Sequence, residues 1–150
     1  MSHFRAVAVS LLIVVSCLAG VPVHAKNCPD VVPAGEYGQQ QPLSNFQITV
    51  TPDGTTVAGN GVCNNGFIPG PIMLEKVKGH CQFDVAGTYT TCPAIRPGEG
   101  ELCNTENVRY VGTYDDKTGT LTLVIIHPDG TITGPDVFTA GVVNPPPLCL

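Results

Sequence analysis

The chain has 150 residues, of which 13% are charged, and a formal net charge of −5. Twelve Asp and Glu face seven Lys and Arg, with no basic cluster larger than Lys76 and Lys78, which argues against nucleic acid and anionic membrane surfaces as partners. After residue 25, sixteen Gly and thirteen Pro leave Glu101 to Val111 as the longest stretch free of both. Long helices are thereby excluded, because each interior Gly costs a helix about 1 kcal/mol and each Pro about 3 kcal/mol.

Residues 1–25, MSHFRAVAVSLLIVVSCLAGVPVHA, read as a signal peptide. Arg5 precedes a small-and-aliphatic run, and Val23-His24-Ala25 resembles a small-residue cleavage site. Ser10, Ser16, Gly20 and Pro22 dilute the run below what a membrane span needs. A lipoprotein signal modified at Cys17 competes with cleavage, but the residues after Cys17 are apolar where such a tether is usually polar. Residues 26–150 are then one secreted, extracellular domain. No Asn-x-Ser/Thr sequon occurs, so N-glycans are not expected.

Phe46 to Thr51 alternates apolar and polar, the signature of a strand with one face buried. Pro52-Asp53-Gly54 ends it: proline presets the first turn position, aspartate accepts local hydrogen bonds and glycine supplies a positive φ, so Thr55 to Ala58 should return antiparallel. Pro71 to Lys78, with Gly79 just beyond, is the one place for a short helix, although Ile72, Leu74 and Val77 fit no single period and a strand competes. Cys81 and Cys92 lie equidistant from Ala86-Gly87, so a hairpin turning there would face them for a disulfide. Val108 to Tyr114 should pair with Thr120 to Ile126 across Asp115 to Gly119. A second Pro-Asp-Gly-Thr turn, at 128–131, then returns the chain through Thr133. Val137 to Val143 reads as a last strand, and Asn144-Pro-Pro-Pro147 as an extended tail. The fold expected is all-β: a small disulfide-stapled antiparallel sandwich or partly open barrel with at most one short helix.

Once Cys17 leaves, six cysteines remain: Cys28, Cys63, Cys81, Cys92, Cys103 and Cys149. An even count in a secreted chain implies three disulfides, whose connectivity the spacing does not choose. Gaps of 35, 18, 11, 11 and 46 residues lack zinc-site spacing, so neither metal nor other cofactor is expected.

The catalytic inventory is thin. Ser44 is the only serine after residue 25, and its Pro-Leu-Ser-Asn-Phe context is not a nucleophile elbow. His80 reads as a strand residue, and His127, just before a turn, as a solvated imidazole. Glu99, Glu101, Glu106, Asp115 and Asp116 are the carboxylates a small hydrolase would use, yet the chain has no Trp and four Tyr on which a sugar could stack. Glu106, Arg109 and His127 can be written as acid, phosphate clamp and base, although a negative domain repels such a substrate. No catalytic residue is assigned.

Cys92-Pro-Ala-Ile-Arg-Pro-Gly-Glu-Gly-Glu-Leu-Cys103 is a constrained segment able to present Ile95, Arg96, Glu99 and Glu101 to a partner. In composition the chain resembles the small secreted cysteine-rich proteins of fungi and other microbes, a class that includes effectors acting on a host. That resemblance transfers no residue. The reading favoured is non-catalytic binding of an extracellular protein or other macromolecule, effector- or inhibitor-like. A small secreted hydrolase and a structural wall or surface component are the alternatives.

Overall fold

The structure, a computed structural model, describes residues 28–40, 46–59, 64–92 and 103–144. These residues form nine strands and no helix: β1 (Gly35–Gly38), β2 (Gln47–Thr51), β3 (Gly54–Ala58), β4 (Asn65–Pro69), β5 (Glu75–Val77), β6 (His80–Thr91), β7 (Asn104–Asp115), β8 (Thr120–Ile126) and β9 (Ile132–Ala140). Every pairing is antiparallel. Strands β1 to β4 and β6 to β9 follow one another in chain order, and the pairs β4–β6 and β1–β9 close the ring. The protein is thus an eight-stranded up-and-down barrel, with β5 added beside the start of β6. Closure leaves few unpaired sheet edges.

Alternation decides which side chains enter. On β8, Leu121, Leu123 and Ile125 are buried while Thr120, Thr122 and Val124 are half-buried on the outside. A barrel of eight strands has an interior that side chains can fill or that holds one small ligand. Here it is filled: Tyr37, Ile48, Tyr110, Leu121 and Phe138 are each at most 1% exposed. The two most deeply buried phenols are satisfied, Tyr37 donating to the Pro33 carbonyl (2.7 Å) and Tyr110 to that of Thr88 (2.8 Å). Glu36, Thr49, Asp84 and Arg109 lie on the outer face, which also exposes Phe67, Ile132 and Val137. Among the described residues, no helix is long and apolar enough to cross a membrane.

Glycine makes the closing seam possible. A Cβ on Gly66 of β4 would lie 2.1 Å from the Tyr110 hydroxyl oxygen, and one on Gly87 of β6 would lie 2.4 Å from the Phe67 carbonyl oxygen. Their missing side chains let Tyr110 lie across the junction of β4 and β6.

The two ends of the barrel differ. At the lower end Pro52 and Asp53 join β2 to β3, and residues 116–119 join β7 to β8. The segment 28–33 covers this end, with Val32 and Ile72 buried, Val32 N–H donating to the Ile72 carbonyl (2.9 Å) and a Cys28–Cys81 disulfide pinning it to β6. At the upper end lie Gln39, Phe46, Gly59, Asn64, Cys92 and Cys103, together with the turn 127–131 between β8 and β9.

Several expectations are met: the disulfide-stapled all-β fold, the strand Thr120–Ile126 with its pairing to the Val108–Tyr114 stretch, and both Pro-Asp-Gly hairpins. Others are corrected. Residues 71–78 form no helix; Glu75, Lys76 and Val77 are all exposed, so a helix there would have no face to bury, and the chain reverses at Lys78 (φ 50°) and Gly79 (φ 84°) instead. Ala86-Gly87 is not a turn. β6 runs straight through it, paired with β7 from Cys81 to Thr91, which puts Cys81 and Cys92 about 35 Å apart along extended chain. Cys81 is bonded to Cys28, and Cys92 to Cys103. Gly54 has no positive φ; the turn needs only Pro52-Asp53, and Gly54 leaves room for the Phe67 ring, 2.7 Å from where its Cβ would be. The last strand begins at Ile132, absorbing the return of the hairpin, and stops at Ala140 before Gly141 (φ 78°).

Candidate functional site

The upper mouth of the barrel is where the inward rows turn polar. On β7, Glu106 belongs to the row that continues downward as Val108 and Tyr110. On β8, His127 is the first residue past the strand and extends the row of Leu121, Leu123 and Ile125. The two meet across the sheet, His127 Nδ1 lying 2.5 Å from Glu106 Oε1, with side-chain exposures of 14% and 31%. His127 is therefore an enclosed imidazole rather than a solvated one, because the odd-numbered register of β8 aims it inward.

Two more groups reach this mouth through an irregularity in β9. Asp136 pairs with Leu123 and Thr133 with Ile125, so three steps along β9 answer two along β8. The bulge brings both side chains to the inward side, where a regular strand would have put them on opposite faces. Thr133 Oγ1 lies 2.9 Å from His127 Nε2, and Asp136 Oδ1 accepts from the Gln39 side-chain amide (3.0 Å). Tyr89, directly opposite Glu106 in the β6–β7 register, presents its ring edge-on to the imidazole at a centroid distance of 5.8 Å.

The electrostatics follow from enclosure. Burial holds the Tyr89 phenol above its ordinary value and the charge of Asp136 adds to this, while a hydrogen bond with the Asn64 side chain opposes them. Tyr89 thus stays a neutral hydroxyl group. A carboxylate only accepts, so with a neutral imidazole Nδ1–H donates to Glu106, and Nε2 accepts from the Thr133 hydroxyl. The three groups stand in the order carboxylate, imidazole, hydroxyl, in which a base is oriented by one neighbour and faces a proton on the other.

The residues singled out in the sequence are dispersed. Glu106 and His127 come together, but Arg109 lies on the outer face in a two-pronged ion pair with Asp84, so the acid, clamp and base set does not assemble. Asp115 and Asp116 sit at the opposite end of the barrel. His80 is exposed at the start of β6. Ser44, Ile95, Arg96, Glu99, Glu101, Cys63 and Cys149 lie outside the described residues. Tyr89, Thr133 and Asp136 carry no sequence motif. The inward alternation of 106–114 and 121–127 did contain the signal for Glu106 and His127, since both fall in register with buried apolar neighbours.

A concavity of about 490 Å³ lies along β5 to β8, lined by Met73, Glu75, Val77, Asp84, Val111 and Val124 among others. It gathers no hydrogen-bonded relay of the kind found at the mouth. Among the described residues, no group of three or more His, Cys, Asp or Glu is placed to share a metal ion. Comparison with protein-family models, with curated proteins and with solved structures finds no match to this chain.

Proposed function

We propose that the mature chain is secreted and acts outside the cell by binding another macromolecule, which it meets at the upper end of the barrel with the segment between Cys92 and Cys103. The observation that carries this reading is the Cys92–Cys103 disulfide. It makes a covalently closed loop of the segment bearing Ile95, Arg96, Glu99 and Glu101, at the end of the long hairpin of β6 and β7. A closed loop has less conformational freedom to lose on binding. The filled barrel interior supports recognition at the surface over enclosure of a ligand in the core. Two disulfides suit an oxidising compartment, and the role fits an effector or an inhibitor.

The test is retention of proteins from an extracellular fraction on the immobilised, oxidised mature chain, run beside the Ile95→Ala/Arg96→Ala and Cys92→Ala/Cys103→Ala variants. A partner held by the native protein should bind about tenfold more weakly to either variant, the equivalent of one or two newly mobile side chains. Equal retention by all three proteins, or none by any, would overturn the reading.

A further inference from the structure

We propose that Thr133, His127 and Glu106 form a nucleophile, base and carboxylate relay that cleaves carboxylic esters with small acyl groups at the barrel mouth. This activity goes beyond macromolecular binding and does not depend on the loop between Cys92 and Cys103.

The placement argues for chemistry over packing. The interior rows are apolar from Leu121 and Ile48 up to Val108 and Ile125, and an apolar side chain at 106, 127 or 133 would extend that core. A carboxylate, an imidazole and a hydroxyl set there instead must be hydrogen-bonded to one another merely to offset their desolvation. They are, in one continuous chain: Glu106 Oε1 to His127 Nδ1 at 2.5 Å, and His127 Nε2 to Thr133 Oγ1 at 2.9 Å. The three come from three strands or their ends, and the bulge of β9 puts Thr133 on the inward side together with Asp136. Thr133 itself is half-buried, so its hydroxyl stands at the boundary between core and mouth.

The chemistry balances with water as the only co-reactant. His127 Nε2 takes the proton of Thr133 as Oγ1 attacks the ester carbonyl carbon, while Glu106 steadies the imidazolium that forms. Collapse of the tetrahedral adduct breaks the bond from carbon to the alcohol oxygen, and the departing alkoxide takes the proton from Nε2. The acyl group is then on Thr133 Oγ1. Water, losing a proton to Nε2, attacks this second ester; the proton returns to Oγ1 as the carboxylic acid leaves. The threonine methyl group crowds the attacked carbon, which confines the acyl group to a small one.

p-Nitrophenyl acetate is the probe. The oxidised mature protein should release p-nitrophenol with saturation, and acid quenching during turnover should trap an acetyl group on the peptide containing Thr133. Thr133→Val and His127→Gln should each lower the rate about a hundredfold, Glu106→Gln less, and Thr133→Ser should retain it because a primary hydroxyl is restored. The trapped adduct reads the native protein, so the proposal can be judged even where a variant fails to fold. Acetylation confined to lysine, tyrosine or His127, a folded Thr133→Val variant hydrolysing at the native rate, or no hydrolysis above buffer would overturn it.

Discussion

Replacing Cys28 and Cys81 together by alanine is expected to lower the unfolding free energy by about 4 kcal/mol, whereas replacing Cys92 and Cys103 should cost about 3 kcal/mol. The difference follows from sequence separation, 53 residues for the first bridge and 11 for the second, since a longer closed segment loses more freedom in the unfolded chain. The first bridge also holds the segment 28–33 over the lower end, where Val32 and Ile72 are buried. Its loss should expose them. Against a net stability of roughly 5–15 kcal/mol for a small domain, either change is severe, and the Cys28/Cys81 variant should show the lower urea midpoint under non-reducing conditions. A higher midpoint for that variant would mean that the segment 28–33 contributes little to holding the barrel.

Raising the pH above 10 is expected to unfold the protein, with release of its buried tyrosines as the cause. Burial, first, pushes the Tyr37 and Tyr110 phenols well above their ordinary value of 10.0, with the neighbouring Tyr114 and Tyr89 adding to the respective shifts. Below pH 10 the folded and unfolded chains both keep these protons, and stability does not depend on them. Above it the unfolded chain gives them up while the fold retains them, so stability falls with rising pH. The loss approaches about 1.4 kcal/mol per pH unit for each phenol so held. With four Tyr and no Trp in the chain, phenolate absorbance is easily followed. The phenolate absorbance of Tyr37 and Tyr110 should appear at the same pH at which the far-ultraviolet sheet signal disappears, and Tyr110→Phe should make the loss less steep. Ionisation of all four near pH 10 with the sheet intact would contradict the packing described.

The sequence was legible where the physics is local. Thr120–Ile126 was marked by alternation, and the two Pro-Asp-Gly hairpins by turn chemistry that needs only four residues. What it hid was set by partners far along the chain. β6 carries Ala86-Gly87, a good turn dipeptide, yet the long register with β7 and the close passage of Phe67 over Gly87 override that preference. The disulfide of Cys81 follows: once β6 is straight, its partner must come from another segment, and Cys28 is brought there by the covering of the lower end. Closure into a barrel in place of a sandwich depends on β4 meeting β6 and β1 meeting β9, two pairings with no local signature.

The mouth was half legible for the same reason. Glu106 and His127 stand in rows whose buried neighbours announce an inward direction, whereas Thr133 reaches them only because β9 carries a bulge. Arg109 was grouped with them by proximity in sequence alone, and strand alternation sends it outward to Asp84.

If the upper mouth, and not the outer wall, meets other molecules, a bound partner protects that end of the barrel alone. Hydrogen-exchange mass spectrometry of the oxidised mature protein, with and without the partner it retains, tests this most directly. Protection confined to peptides covering Tyr89 to Asn104 and Glu106 to Thr133 at their mouth ends is the predicted result. Protection centred on Met73, Val77, Val111 and Val124 along the outer groove, with the mouth unchanged, would contradict it.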